Sequence, residues 1–144
     1  MLNFEHTVQL TGQDALYDLG CGDGRFLIRA AESVPKLKCV GIELDSKFSA
    51  RAFSNVSENG MRDRIDIISG DVVESMSEDH LAACTAIFVY LLPKGLQKIE
   101  PMLKKVRAKK NGRVLSYLFQ VPGWQCNSVH QIDEHGLCKL YLYS

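Results

Sequence analysis

The sequence lacks the features of several protein classes. Its most continuous apolar run, residues 85–92, is far shorter than the roughly 20 apolar residues that cross a bilayer. Its first 15 residues mix polar side chains such as Glu5 and His6 with apolar ones, which is not the pattern of a signal peptide. The formal net charge is zero and the composition is ordinary for a globular protein. We therefore expect no membrane span, and one domain over residues 1–144.

Cysteine and histidine usage excludes further classes. The five cysteines are scattered and odd in number, and no two form a CxxC or CxxH pair. The four histidines show no metal-ligand spacing. We expect no metal site, and free thiols in a reducing intracellular compartment, cytoplasmic or mitochondrial.

Short β-like runs alternate with helical patterns along most of the chain. The predicted strands are residues 15–19, 38–44, 65–69, 85–92 and 113–119, and the predicted helices are 25–34, a segment from an N-cap at Ser46 to Gly60, 77–83 and 96–108 with a kink or restart at Pro101. Residues 128–133 and 137–143 predict a terminal hairpin because no helix separates them. The fold class predicted is α/β, a doubly wound, mostly parallel Rossmann-like sheet closed by a C-terminal antiparallel hairpin.

The stretch LYDLGCGDGRFLIRAAE, residues 16–32, joins the first strand to the first helix through a glycine-rich turn. Its spacing is GxGxG and differs by one residue from the GxGxxG of dinucleotide sites. The turn also carries Asp18 and Asp23, which oppose a pyrophosphate and favour a cationic ligand. An NAD-linked dehydrogenase is therefore disfavoured.

Two further carboxylates follow later strands. Glu43 ends the second strand, where a carboxylate can accept both hydroxyl groups of a ribose. Asp71 follows the third strand, where it can accept a hydrogen bond from an exocyclic amine such as that of adenine. Because the carboxyl ends of parallel strands meet at one edge, these groups predict a nucleoside joined to a cationic centre. S-adenosylmethionine has this composition.

The motifs DLGCGDGR, GIELD, SGD and FVYLLP resemble motifs one to four of class I, seven-stranded S-adenosylmethionine-dependent methyltransferases. Together with NGRVLSY and VPGW, they resemble the small protein-lysine methyltransferase group that includes the adenine-nucleotide-translocase and ATP-synthase c-subunit lysine methyltransferases. The resemblance implies an enzyme that transfers a methyl group from S-adenosylmethionine, with a lysine side chain of a protein as its acceptor.

The resemblance also implies roles for individual residues. Asp18, Gly20 and Gly22 would line the methionine end of the cofactor, Glu43 would bind the ribose, and Asp71 the adenine. Leu44 would flank the adenine ring, and Cys21 and Val72 complete the predicted cofactor site. Tyr90 is the predicted catalytic residue, and Tyr90 and Trp124 are the predicted substrate-binding residues.

Other functions stay open at this point. The scaffold could serve a nucleic-acid or small-molecule methyltransferase, since a fold does not fix the acceptor, or a non-catalytic cofactor-binding subunit. A basic series in the predicted fourth helix and the turn after it is either a solvated helix face or a nucleic-acid footprint; it comprises Lys94, Lys98, Lys104, Lys105, Arg107, Lys109 and Lys110. Zero net charge weighs against the footprint. Oligomeric state is not predicted.

Overall fold

The computed structural model describes residues 8–144; residues 1–7, which include Glu5 and His6, lie outside the described residues. The described strands are β1 (Ala15–Leu19), β2 (Lys38–Glu43), β3 (Ile65–Ser69), β4 (Ala86–Val89), β5 (Arg113–Tyr117), β6 (Ser128–Gln131) and β7 (Lys139–Tyr143). The described helices are α1 (Arg25–Ser33), α2 (Ser46–Glu58), α3 (Val72–Ser75), α4 (Glu78–Ala83) and α5 (Pro93–Arg107).

The strands form one sheet in the order β3-β2-β1-β4-β5-β7-β6. Strands β1 to β5 are parallel, whereas β7 pairs antiparallel with both β5 and β6. The predicted fold class is confirmed, including the C-terminal hairpin. The hairpin places its second strand, β7, inside the sheet and leaves β6 at the edge.

Two hydrophobic clusters lie on opposite faces of the sheet. Leu16 of β1 packs in the cluster beneath α1 and α2, and its neighbour Tyr17 packs in the cluster beneath α4 and α5. This alternation follows from the two-residue period of a strand. Burial on both faces explains why the inner strands are almost continuously apolar.

The N-cap of one helix differs from the prediction, and another helix was not predicted. Asp45, not Ser46, is the N-cap of α2, because its extended backbone lets the side chain accept hydrogen bonds from the N–H groups of Lys47 and Phe48 at 2.8 and 3.2 Å. The single turn α3 was not predicted. Asp71 nucleates this turn by accepting from the N–H groups of Val73 and Glu74.

The predicted fourth and fifth strands are too long at their carboxyl ends. β4 ends at Val89, so that residues 90–92 leave the sheet and Pro93 opens α5 at its first turn. β5 ends at Tyr117, because Leu118 has a positive φ of 68° that turns the chain.

Helix α5 continues through Pro101, which lies on its exposed side. Among the helices of residues 8–144, none has the length and apolar composition needed to span a bilayer.

Candidate functional site

The carboxyl ends of β1, β2 and β3 lie side by side at one edge of the sheet. The glycine loop that follows β1 is fastened there, because the N–H groups of Gly20 and Cys21 both donate to the carbonyl of Ile42, at 2.8 and 3.0 Å. The loop therefore has a fixed position beside Glu43. This crevice is where open α/β sheets bind ligands.

The three glycines of the loop have different surroundings. Gly20 and Gly22 have positive φ values of 96° and 57°, and a Cβ on either residue would point into open space. Gly24 also has a positive φ, 81°, but a Cβ there would meet the side chain of Ala52 at 3.3 Å. Gly24 thus allows α1 to approach α2, whereas Gly20 and Gly22 leave room for a ligand against the backbone.

Glu43 connects the loop to the start of α2. Its Oε1 accepts from the N–H of Gly22 at 2.8 Å, and its Oε2 accepts from the N–H of Asp45 at 2.9 Å. A carboxylate has about four acceptor positions, so each oxygen can still accept a ribose hydroxyl. The Gly22 N–H, which a phosphate would need, is already engaged by a negative charge. The loop is consequently unsuited to a pyrophosphate.

The two aspartates predicted in the turn are in opposite situations: Asp18 lies within β1, and only Asp23 lies in the loop. Asp18 is only 4% exposed, and burial followed by the charge of Glu43 raises its pKa to about 8. Asp23 forms an ion pair with the exposed Arg25 at 2.6 Å, and the hydrogen bond from Arg25 lowers the Asp23 pKa. A cationic ligand beside Asp18 would favour its charged form. Asp18 is therefore the one of the two carboxyls whose charge depends more on a ligand.

The predicted adenine end lies at the ends of β2 and β3. The Oδ1 atom of Asp71 caps α3, which leaves Oδ2 to accept from a ligand amine. Leu44 is 70% exposed directly after Glu43, and Val72 is half-buried at the start of α3. These groups fit an S-adenosyl nucleoside. They are the open space at Gly20 and Gly22, the carboxylate of Glu43 and the exposed side chain of Leu44.

Cys21 differs from the other members of the predicted cofactor site because its side chain points away from the crevice. The thiol is buried against Gly41, where an added Cβ would lie 2.7 Å from Sγ. Burial raises the pKa of the Cys21 thiol to about 12, so that it is a packing group. Any contact of Cys21 with a cofactor would come from its backbone.

The two predicted substrate residues have different neighbours. Tyr90 is 54% exposed just beyond β4, in contact with Tyr117 and Phe119. Trp124 donates to Glu100 of α5 at 3.1 Å and packs edge to face on Tyr143. Its role in substrate binding stays a prediction, since these contacts are with α5 and the core. The aromatic neighbours of Tyr90 were not singled out from the sequence, although Tyr117 and Phe119 share one face of the predicted fifth strand.

The comparisons with known proteins agree with this geometry. A family model described as the ANTKMT methyltransferase domain matches residues 18–128. The chain belongs to the ANTKMT methyltransferase-domain family. The match contains every residue of the predicted cofactor site, from Asp18 to Val72.

The similar proteins differ in the molecule that accepts the methyl group. A protein-lysine N-methyltransferase of Saccharolobus islandicus is 31% identical over 94% of this chain and 81% of that protein. The crystal structure of an RNA methyltransferase from Salinibacter ruber with S-adenosyl-L-homocysteine has a TM-score of 0.82 and 30% identity, over 96% of this chain and 85% of that one. A tRNA (guanine-N(7)-)-methyltransferase of Helicobacter pylori is 32% identical over 60% of this chain but only 22% of that protein.

The family member described here is thus an S-adenosylmethionine-dependent methyltransferase. Its cofactor supplies a methyl group that the sulfonium already activates. The protein has to hold the acceptor and the cofactor aligned in a dry site, which in favourable cases lowers a barrier by roughly 7–11 kcal/mol. The loop predicted to line the cofactor is held in place by hydrogen bonds to Ile42 and Glu43.

Proposed function

We propose that this methyltransferase acts on the ε-amine of a lysine in a protein. The named relative that supports this acceptor is the archaeal protein-lysine N-methyltransferase. The similarity to an RNA methyltransferase favours a second candidate, methylation of RNA. The distribution of charge around the crevice supports the lysine acceptor.

The cofactor edge of the sheet is acidic. Residues 20–25, 43–47 and 70–75 carry the carboxylates Asp23, Glu43, Asp45, Asp71 and Glu74 against two cations, Arg25 and Lys47. One of these cations, Arg25, is paired with Asp23. Such an edge attracts an ammonium group and repels a phosphodiester backbone. This charge distribution is the observation that carries the proposal.

Three cations in the second half of α5 contact other side chains. Lys104 pairs with Glu100 at 3.2 Å and Lys105 with Glu78 at 3.7 Å. The Arg107 guanidinium lies 4.8 Å from the ring centre of Trp124. The two surface ion pairs partly balance the charge of Lys104 and Lys105.

Lys94 and Lys98 lie near the start of α5, on the side of the sheet where β4 ends, but the later members of the basic series lie elsewhere. Helix α5 starts after the carboxyl end of β4 and returns to the start of β5, so its last turn lies at the opposite edge of the sheet from the glycine loop. Lys109 in the following turn donates to the carbonyls of Leu81, Ala82 and Cys84. A nucleic acid bound there would not present a base to the crevice.

The acceptor amine has to lose its proton before it can attack the methyl carbon. A free lysine has a pKa near 10.4, and an apolar environment lowers it by disfavouring the charged form. That environment has to surround the amine beside the methyl group, further in than the exposed ring of Tyr90. The site thus needs no metal or covalent nucleophile of its own for this transfer.

The test uses cofactor labelled in its methyl group, the purified protein and a cell lysate. We expect label that protease releases and nuclease does not. Lysate with labelled cofactor but without the added protein is the control for label transferred by other enzymes. Label released by nuclease alone would replace the lysine proposal by the RNA one, and label no greater than that of the control would contradict both.

We also propose a reducing intracellular compartment. The five cysteines all lie within residues 8–144 and are free. Three of them, Cys21, Cys39 and Cys84, are buried, and burial raises the pKa of each thiol to about 12. Cysteines of this kind are typical of proteins that fold under reducing conditions.

A further inference from the structure

We infer that Tyr117 and Phe119 join Tyr90 in an aromatic site that holds the side chain of the acceptor lysine by its methylenes and its ammonium group. The inference rests on the proposed lysine acceptor. It assigns binding residues on the substrate side, where the sequence motifs named only Tyr90 and Trp124.

The three rings are brought together by strand register. Val89 pairs with Ser116, so the next residues, Tyr90 and Tyr117, are neighbours where the two parallel strands end. Their ring centres lie 5.0 Å apart with planes at 88°. The rings of Tyr90 and Phe119 are nearly parallel, at 17°, with centres 6.5 Å apart. The rings thus form a corner with two perpendicular walls.

The site is accessible and adjoins the cofactor loop. Tyr90 is 54% exposed, and Tyr117 and Phe119 are half-buried. On the inner side, the Tyr117 ring centre lies 6.4 Å from that of Phe88, and Phe88 stacks on Phe26 at 4.0 Å. Phe26 follows the glycine loop by two residues. A continuous aromatic path therefore runs from the loop to the exposed rim.

The surroundings of Tyr117 favour a cation. Its hydroxyl interacts with the Cys138 side chain, which together with burial and nearby charges raises the Tyr117 pKa to about 12, so the phenol stays neutral at physiological pH. Among those charges is Asp133, whose Oδ1 accepts from the N–H of Cys138 at 2.7 Å. That hydrogen bond lowers the Asp133 pKa and keeps the carboxylate ionised. Aromatic faces beside a carboxylate bind alkylammonium groups.

The test measures binding without methyl transfer. Protein with ¹³C-labelled aromatic rings is saturated with S-adenosylhomocysteine and titrated with n-butylammonium, which has the shape and charge of a lysine side chain. Butan-1-ol, with the same four-carbon chain, serves as the neutral isostere. We expect saturable NMR shifts of the Tyr90, Tyr117 and Phe119 rings, with butylammonium binding roughly 3- to 30-fold more tightly than butan-1-ol.

Phe53 is the matched control ring. It is 50% exposed on α2 and lies beneath Arg62, away from the corner. Its signals should not show saturable shifts. In Tyr117→Leu and Phe119→Leu, each checked for unchanged S-adenosylhomocysteine affinity, butylammonium should bind at least several-fold more weakly.

Three results would overturn the inference: no saturable shift of the three rings, equal affinity for the two probes, or equal shifts at Phe53. None of them bears on whether lysine is methylated, because no methyl group is transferred. Conversely, ammonium binding at the corner combined with nuclease-sensitive label in the lysate experiment would contradict the proposed function and leave the aromatic site standing.

Discussion

The Oε1 atom of Glu43 accepts a hydrogen bond from the N–H of Gly22 at 2.8 Å, which joins the end of β2 to the glycine loop after β1. This bond places a carboxylate on the backbone group that a dinucleotide site would turn toward phosphate. It also holds Glu43 in position for the ribose contact predicted from the sequence. One hydrogen bond thus opposes a pyrophosphate and orients the carboxylate that is predicted to bind a nucleoside.

Glu43→Gln tests this relationship. In glutamine an NH2 group, which donates and does not accept, replaces one carboxylate oxygen, so the N–H of Gly22 or of Asp45 loses its partner. We expect the affinity for S-adenosylhomocysteine, measured by calorimetry, to fall roughly 10- to 100-fold. Glu58→Gln, at the exposed end of α2, is the matched control and should bind like the parent protein. Parent-like affinity of Glu43→Gln would show that the carboxylate charge is not used.

Gly22→Ala separates backbone strain from ligand exclusion. Gly60 provides the comparison, because it also has a positive φ, 67°, and open space where a Cβ would go, but it follows α2. Each alanine should lower the free energy of unfolding by roughly 1–2 kcal/mol in denaturant titrations. Only Gly22→Ala should lose cofactor affinity. Equal affinities of the two variants would mean that the space beside Gly22 is not the cofactor site.

Asp18→Asn should stabilise the protein and weaken cofactor binding. Because burial raises the Asp18 pKa to about 8 from an ordinary value of 3.8, the folded state resists its ionisation. The contribution of Asp18 to stability is complete below the unfolded pKa and is lost as the pH rises through the folded pKa. Asparagine removes this loss, so we expect it to add roughly 2–4 kcal/mol to the free energy of unfolding at pH 7.

The pH dependence gives the check on Asp18. The stability difference between Asp18→Asn and the parent should be small at pH 4 and grow up to about pH 8. Denaturant titrations at several pH values measure it. A difference that stays constant with pH would show that Asp18 ionises normally in the folded protein.

Trp124→Phe tests which role Trp124 has. The substitution keeps a ring against Tyr143 but removes the hydrogen bond to Glu100 and weakens the contact with Arg107. From these contacts we expect the melting temperature to fall by roughly 2–5 °C, with little change in the KM for a protein acceptor. A large rise in that KM at unchanged melting temperature would instead support the substrate role predicted from the sequence.

The sequence predicted the sheet well because strand and helix periods were strong and turn residues separated them. It was less accurate where a side chain decides a boundary. Ser46 and Asp45 are both good capping residues, and only the backbone conformation of Asp45 shows which one caps α2. The single turn α3 depends on the hydrogen bonds of Asp71, which no periodicity can indicate in four residues.

The residues of the predicted cofactor site could be chosen from the sequence, but the aromatic neighbours of Tyr90 could not. Gly20, Gly22, Glu43 and Asp71 follow their strands along the chain, and parallel strands bring such positions together. The aromatic corner depends on register between β4 and β5, so Tyr117 could not be paired with Tyr90 before the structure was known. The charges of the two aspartates near the glycine loop could not be read from the sequence either. Arg25 pairs with Asp23, and burial raises the pKa of Asp18.

The chemical identity of the methylated residue decides whether lysine is the acceptor. Protein from the labelled lysate reaction is hydrolysed completely, and its amino acids are separated beside authentic methyl-lysines, with lysate that received no added protein as the blank. We predict label in ε-N-methylated lysine. Label in any other amino acid, or in nucleosides of the same reaction with none in lysine, would contradict it.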